Sequence, residues 1–409
     1  DTITGGTGND IIYGDYGSNS TAQASSGSGE GDDSINANSG QNIVFGGAGN
    51  DELTAGIGND ILIGDYGRVS GTTVTVDNSA GGNDEISASS GYNLMIGGAG
   101  NDELNAYDSR NNVLVGDNAV VQLGGSQVVS SLTSQSNVSG NDTLSVVSGN
   151  NFMIGGLGDD NLTGGSGNDL IFGDNSDVIL DHVSGVLTSF SLPHLDLGGD
   201  DIIQGIAGDN LIVGGTGGDT LTGGINDDVI FGDNGEVIIS GGIVTRAYTS
   251  DTVYGGIDNI LTGSGDDIVF GAVSDDTIEA ESGNNVLFGD YGVAVLSDGS
   301  SDEWYAWTSD ASTGGSDILT GGSGVDIHFG GLGDNNISGG SGDDYIIAQS
   351  GKIERDSPGD IIALWSTDST YGGHSSITLN SGNNSVIAGY GNDTVYGGSG
   401  NDQIIGDNG

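Results

Sequence analysis

Apolar residues return along this chain on a nine-residue beat. Gly164-Gly165-Ser166-Gly167-Asn168-Asp169-Leu170-Ile171-Phe172 and Gly397-Gly398-Ser399-Gly400-Asn401-Asp402-Gln403-Ile404-Ile405 show the unit clearly: Gly-Gly-x-Gly-x-Asp-x-(Leu/Ile/Val)-x. One such unit cannot bury its apolar face, whereas a stack of them can. The units come in blocks of four at 31–66, 82–118, 140–175, 199–234, 256–291, 315–350 and 373–408, whose starts lie 51, 58, 59, 57, 59 and 58 residues apart. Between them the pattern changes, at 17–30, 67–81, 119–139, 176–198, 235–255, 292–314 and 351–372. Val120–Val129, Val237–Thr245 and Val293–Gly299 set β-branched runs around glycine, which predicts strand, turn, strand. The segment 17–30 is rich in Ser and Gly and reads as a loop.

Composition narrows the picture. The chain carries 58 acidic and 5 basic residues, a formal charge of −53. Nucleic acid and anionic membrane are poor partners for it, because both require clustered Lys and Arg. Divalent cations are the natural counter-charge. With 82 Gly and 2 Pro among 409 residues, long helices are disfavoured, since each helical Gly costs roughly 1 kcal/mol. The regular apolar beat argues against low-complexity disorder. No Cys is present, so no disulfide framework stands in for a core, and compartment stays open on that ground. No apolar run of about 18 residues predicts a transmembrane segment, and no signal-peptide pattern opens the chain, which begins in mid-repeat and reads as a piece of a longer array. His182, His194, His328 and His374 are scattered without zinc-ligand or catalytic-base spacing, so no catalysis is expected within this piece.

The nonapeptide resembles the calcium-binding repeat of RTX (repeats-in-toxin) proteins, found in large type I-secreted bacterial surface proteins, adhesins and S-layer proteins. That resemblance implies an all-β fold: a right-handed parallel β-roll (β-solenoid) in which two nonapeptides make one coil. A four-copy block is then two coils, and its β-hairpin insertion leaves from one edge, recurring about every 10 Å. Leu170, Ile230, Leu287 and Ile404 are expected to point inward and stack on their counterparts.

The resemblance also implies Ca2+ ions, several of them, between stacked turns that offer carbonyls and an Asp carboxylate. First copies supply Asp33, Asp84, Asp142, Asp201, Asp258 and Asp317; second copies supply only Asp267 and Asp326; third copies supply Asp51, Asp102, Asp160, Asp219, Asp276 and Asp393. Fourth copies supply Asp10, Asp60, Asp169, Asp228, Asp344 and Asp402. A closing Gly-Asp-(Asn/Tyr) variant adds Asp15, Asp65, Asp117, Asp174, Asp233, Asp290 and Asp407 where the insertions depart. Asn42, Asn93, Asn151, Asn210 and Asn384 take the Asp place in most second copies, so those turns either bind weakly or form hydrogen-bond ladders. Asn112 and Asn285 do so in fourth copies, and Ser109-Arg110 adds a residue that predicts a lost site or bulge. Ala348-Gln349 replaces Gly-Asp in the sixth block, and the Lys352 ammonium is expected to occupy or repel the cation there.

The function expected is a calcium-dependent structural segment of a secreted, extracellular bacterial surface protein, folding after export. The alternative is an accessory folding module of a large exported enzyme or toxin. Trp304, Trp307 and Trp365, with Arg68, Arg246, Lys352 and Arg355, lie in the insertions. Either they form a contact surface for self-association or a surface partner, or the hairpins pack on one another and on the roll and Trp fills their small core; both hold if each hairpin keeps an outer face.

Overall fold

A computed structural model describes residues 1–18, 22–25, 31–76, 81–124, 128–135, 138–180, 187–192, 196–241, 243–250, 253–296, 304–309, 313–355, 361–367 and 370–407. Their regular structure is β-strand throughout. The expectations for His182, His194, parts of the insertions and the last residue of the final block lie outside the described residues. The chain divides into two compact units, Asp1–Ala207 and Gly208–Gly409.

Each unit follows one rule: odd copies of each block build one parallel sheet and even copies build a second. In the first unit the odd sheet runs in order through Thr2–Gly6, Ser34–Asn38, Glu52–Ile57, Glu85–Ser90, Glu103–Ala106, Thr143–Val146, Asn161–Thr163 and Ile202–Gln204. The even sheet runs through Ile11–Tyr13, Ile43–Phe45, Ile61–Ile63, Leu94–Ile96, Val113–Val115, Phe152–Gly156 and Leu170–Asp174. The second unit repeats the arrangement from Leu211–Val213 and Thr220–Ile225 to Thr394–Tyr396 and Gln403–Ile405. This is the parallel β-roll.

Register places the residue two after each Asp in line with its counterparts, as Leu53, Ile86, Leu104, Leu144 and Leu162 show in the odd sheet. Leu62, Met95, Leu114, Met153 and Ile171 form the matching row of the even sheet, and both rows are fully buried. Leu170 departs from the expectation: it directly follows Asp169, so strand alternation half-exposes it and turns Ile171 inward. Ile404 keeps the register, paired with Val386, but is 44% exposed.

The two sheets differ on their outer faces. Odd strands such as Glu52–Ile57 alternate buried and exposed positions, whereas even strands such as Ile61–Ile63 are buried at every position. A sheet buried on both sides needs a second cover. The insertions supply it. Each of the seven contributes two antiparallel strands, including the first, where Tyr16–Ser18 pairs with Gln23–Ser25 and corrects the loop reading. Successive hairpins then pair with one another. In the first unit Thr73–Thr75 joins Ala119–Leu123, and Val129–Ser134 joins Asp177–Leu180, within an eight-stranded meander. In the second, Ile243–Thr249 joins Gly292–Val295, and Trp304–Thr308 joins Gly351–Arg355, within a six-stranded one.

Strand spacing explains the four-copy block. Two coils advance the roll by two spacings of about 4.8 Å, and one hairpin contributes two strands at the same spacing. Within each meander, hairpins issued every two coils therefore meet edge to edge. Beneath the second meander, Phe231, Phe270, Phe288 and Phe329 stack face to face at 4.7–4.8 Å between centroids. Gly235 and Gly292, at the hairpin bases, lie against the Phe231 and Phe288 rings. In the first unit Phe190 of a hairpin meets Phe172 of the roll edge to face at 5.0 Å.

The Trp expectation resolves in part. Ala247, Ala294, Ala306 and Ile353, paired across the second meander, are fully buried. The residues alternating with them, Tyr248, Trp307, Lys352 and Trp365, are half-buried. The hairpins do pack on one another and on the roll, but Ala and Phe fill that layer, and Trp307 and Trp365 lie on the other face of the meander.

Candidate metal sites along the turns

The turns joining the two sheets stack along two edges. On one edge, the Asp of each odd copy hydrogen-bonds to the next. Oδ1 of Asp51, Asp84, Asp102, Asp142, Asp160 and Asp201 accepts the backbone N–H of the Asp one coil earlier in the first unit, as Asp258, Asp276 and Asp317 do in the second, all at 2.7–2.9 Å. This ladder starts at Asp33 and Asp219 and uses one oxygen of each carboxylate.

The other oxygen has a different surrounding. Oδ2 of Asp33, Asp51, Asp84, Asp102, Asp142, Asp160, Asp276 and Asp317 is buried with no hydrogen-bond partner. Each faces a glycine and a carbonyl from the adjacent coil. A Cβ added to Gly46 would lie 2.3 Å from both Asp51 Oδ2 and Gly64 O; one on Gly97 would meet Asp102 Oδ2 at 2.3 Å and Gly116 O at 2.4 Å. Only glycine leaves the cradle open. Two buried acceptors converging without a donor require a proton or a cation between them. Calcium takes both carboxylate and backbone carbonyl oxygens, so the donor set fits that ion. Among the described residues no three His, Asp or Glu side chains gather round one point. Each cradle is one carboxylate plus carbonyls.

Burial strains these carboxylates. Desolvation pushes Asp51, Asp102 and Asp160 up to about 7, and Asp317 to about 8. Desolvation and then a neighbouring Asp charge push Asp84 to about 9, Asp142 to about 10 and Asp276 to about 11. Without a counter-ion the folded edge holds protons at neutral pH that the unfolded chain would release.

The even edge mixes Asp with Asn. Asp60, Asp228, Asp267 and Asp344 also carry a buried Oδ2 without a partner, and desolvation raises them to about 6, 8, 6 and 7. Asp169 is raised to about 7 and Asp326 is raised, both by burial. Asp10 and Asp402 sit in the first and last strands' turns, where Asp10 Oδ2 accepts Gly6 N–H at 3.1 Å and Asp402 Oδ1 accepts Asn384 N–H at 3.1 Å. The interposed Asn residues donate. Asn151 Nδ2 reaches Gly149 O at 2.8 Å and Asp169 Oδ1 at 3.0 Å; Asn42 and Asn384 each reach the next Asp Oδ1 at 2.9 Å. Asn285 Nδ2 does the same to Asp326 Oδ1 at 2.9 Å, and Asn210 N–H donates to Asp228 Oδ1 at 2.8 Å. Asn93 continues the ladder to Asn112 at 3.0 Å. Of the two sequence expectations for these turns, the structure displays the hydrogen-bond ladder. Asn112 also donates to Asp108 Oδ1 at 3.0 Å, a carboxylate that the extra residue at Ser109-Arg110 brings in and that the repeat alignment passes over.

The Asp residues at the insertion bases also take backbone donors, and Oδ1 of Asp65 and Asp117 is buried without a hydrogen-bond partner. Asp15, Asp65, Asp117 and Asp233 accept the backbone N–H of Ala48, Ala99, Leu157 and Val273 at 2.6–2.8 Å. Asp290 accepts from Leu332, and Gly256 and Gly315 N–H donate to the second oxygens of Asp233 and Asp290 at 2.8 and 2.7 Å. Asp233 and Asp290 thereby tie the returning insertion to the next turn. Asp174 is buried against Gly198, and Asp407 is exposed in the last turn. Asp393 belongs to the odd edge: it is half-buried, its Oδ1 takes Ser375 N–H at 2.8 Å, and its Oδ2 is buried without a hydrogen-bond partner.

Lys352 is elsewhere than expected. Its Nζ pairs with Glu354 Oε1 at 2.9 Å and lies over the Tyr305 and Trp365 rings at 5.1 and 5.4 Å, because Lys352 points to the outer face of the hairpin sheet. Gln349 itself fills the turn. Asn335, which holds the third-copy Asp place in the same block, escaped the sequence reading, although its alignment with Asp102 marks it.

No curated protein matches the chain. The model of the RTX calcium-binding nonapeptide repeat matches residues 1–20, 28–65, 79–113, 138–171, 197–239, 252–287, 312–352 and 378–409. With that match over most of its length, the chain belongs to the RTX calcium-binding repeat family and binds Ca2+ in multiple sites.

Proposed function

We propose that this calcium-binding structural segment of a secreted protein serves in a bacterial surface protein, as an adhesin stalk, surface layer or extracellular fibre. The single observation that carries the reading is the row of paired acceptors, Asp Oδ2 against glycine carbonyl, along one edge of each unit. Asp33, Asp51, Asp84, Asp102, Asp142, Asp160, Asp276 and Asp317 would hold calcium there, with the even-edge Asp residues as a sparser second set. A bound ion would supply the positive charge that these paired acceptors lack. The chain's own residues set its place: the Oδ1 ladder fixes each carboxylate, and glycine keeps the cradle clear. Binding energy then becomes folding energy, so a rigid form is reached only where calcium is at extracellular levels. The continuous hairpin meanders suit a stiff display element better than a passive linker, since they cover the roll on a second face.

Antibody against a hairpin, applied to intact producing cells before and after EGTA, tests this. Surface labelling that EGTA alters supports the reading. Recovery of the chain only within a soluble exported enzyme would favour the accessory folding module instead.

A further inference from the structure

One turn in the second unit breaks the chemistry of the cation edge in several places at once. Aligned on the junction of the second and third blocks, where Asp102, Gly116, Asp117 and Asp142 stand, the corresponding residues at the junction of the sixth and seventh are Asn335, Ala348, Gln349 and Ser375. Three carboxylates are replaced by neutral groups and one glycine gains a methyl.

The geometry makes these changes interdependent. Asp102 Oδ2 is buried without a partner near Gly116 O, whereas Asn335 Nδ2 donates to Ala348 O at 3.0 Å and to Leu332 O at 2.9 Å. The amide hydrogens stand where the acceptor pair elsewhere calls for a cation. Asn335 still keeps the ladder, its Oδ1 accepting Asp317 N–H at 2.8 Å. A Cβ on Gly116 would lie 2.0 Å from Asp142 Oδ2, so an alanine there excludes an aspartate one coil on. Ala348 has that Cβ, and Ser375 has no carboxylate to meet it. Gln349 completes the set. Its Oε1 accepts Tyr390 N–H, as Asp117 Oδ2 accepts Leu157 N–H, while its Nε2 donates to Gly373 O at 3.0 Å and to Tyr390 O. A carboxylate could not make the last two bonds.

We propose that Asn335, Ala348, Gln349 and Ser375 form a calcium-free rung, in which side-chain amides replace the ion that the equivalent cradles hold. The inference rests on the calcium reading of those cradles. The rung interrupts the cation row of the second unit and keeps its bonds when calcium is withdrawn.

Calcium counting by equilibrium dialysis at saturation tests it, with circular dichroism as the check on folding. Three chains are compared: the natural one, a restored variant (Asn335→Asp, Ala348→Gly, Gln349→Asp, Ser375→Asp), and a transplant (Asp102→Asn, Gly116→Ala, Asp117→Gln, Asp142→Ser). The expected result is at least one ion gained by the restored variant and at least one lost by the transplant. A crystal of the natural chain grown in calcium reads the rung directly, even if the restored variant fails to fold. An anomalous calcium peak between Asn335 and Ala348, or a transplant that keeps its full complement, would overturn the proposal. A natural chain that binds no calcium at all would overturn the underlying reading instead.

Discussion

Replacing Phe288 by alanine probes the layer between roll and hairpins. Phe288 is fully buried, stacks on Phe270 and Phe329 at 4.7 Å on either side, and packs beneath Gly292 at the base of a hairpin. Removing a buried phenyl ring costs about 3–5 kcal/mol in transfer and cavity terms. Two lost aromatic contacts, at about 0.5–1.5 kcal/mol each beyond area, place this site at the upper end of that range. About 5 kcal/mol is comparable to the whole stability of many domains. Phe288→Leu keeps most of the volume and should cost less than about 2 kcal/mol. Ile243→Ala, on a residue 70% exposed beside a hairpin turn, should stay within about 0.5 kcal/mol. Denaturant unfolding at saturating calcium, followed by tryptophan fluorescence from Trp307 and Trp365 on the hairpin sheet, reads all three. A loss below about 1 kcal/mol for Phe288→Ala would refute the claim that the meander is packed onto the roll.

The other predictions concern charge and backbone. Asp84, Asp142 and Asp276, raised by burial to about 9, 10 and 11, contribute stability to the calcium-free fold that is fully present below about 3.8 and lost as pH rises through those values. The calcium-free chain should therefore gain β-structure by circular dichroism as pH falls from 8 toward about 5, while the calcium-loaded chain changes little. His328 works in the opposite sense: burial lowers it to about 3, so its contribution is present above about 6.5 and lost as pH falls through 3. Both its ring nitrogens are buried without hydrogen bonds, in register with Leu287 and Ile346. His328→Leu should stabilise the calcium-loaded chain by about 1–3 kcal/mol in denaturant titration. Ala272 and Ser274 hold φ of +84° and +79° in the turn before Asp276. Ala272→Gly or Ser274→Gly should each raise the melting temperature, by about 0.5–1 kcal/mol of stability after the entropy of glycine is subtracted.

The roll was legible because its period is encoded twice, in the glycine-Asp turn and in the inward aliphatic two residues later. That the hairpins pack on the roll is one of the two readings the insertions allow, and the repeat itself carries a further signal for it. Even copies end in large apolar residues (Phe45, Ile63, Ile96, Phe172, Phe231), whereas the same place in odd copies holds Thr54, Ser87, Asn105 and Ser145. That alternation marks one sheet as doubly buried, and it appears only when copies are compared two apart. The first hairpin was missed because Tyr16–Ser18 and Gln23–Ser25 lack β-branched runs; pairing of Gln23 with Arg68 of the next hairpin supplies what propensity does not. Among site residues, the repeat located the carboxylates, but not which oxygen is spoken for. That division, Oδ1 to the ladder and Oδ2 to the cradle, depends on the offset between coils. Lys352 was misplaced because strand alternation past the Gly351 base, and not distance along the chain, decides which way it points.

The central claim is that calcium between buried acceptors turns a chain of formal charge −53 into a folded roll. The most direct measurement is hydrodynamic radius by light scattering as calcium rises from zero to the millimolar range. The account predicts an expanded chain that collapses to a compact particle near about 10⁻⁴ to 10⁻³ M calcium. A radius that is already compact without calcium at neutral pH, or that does not change across the titration, would contradict it.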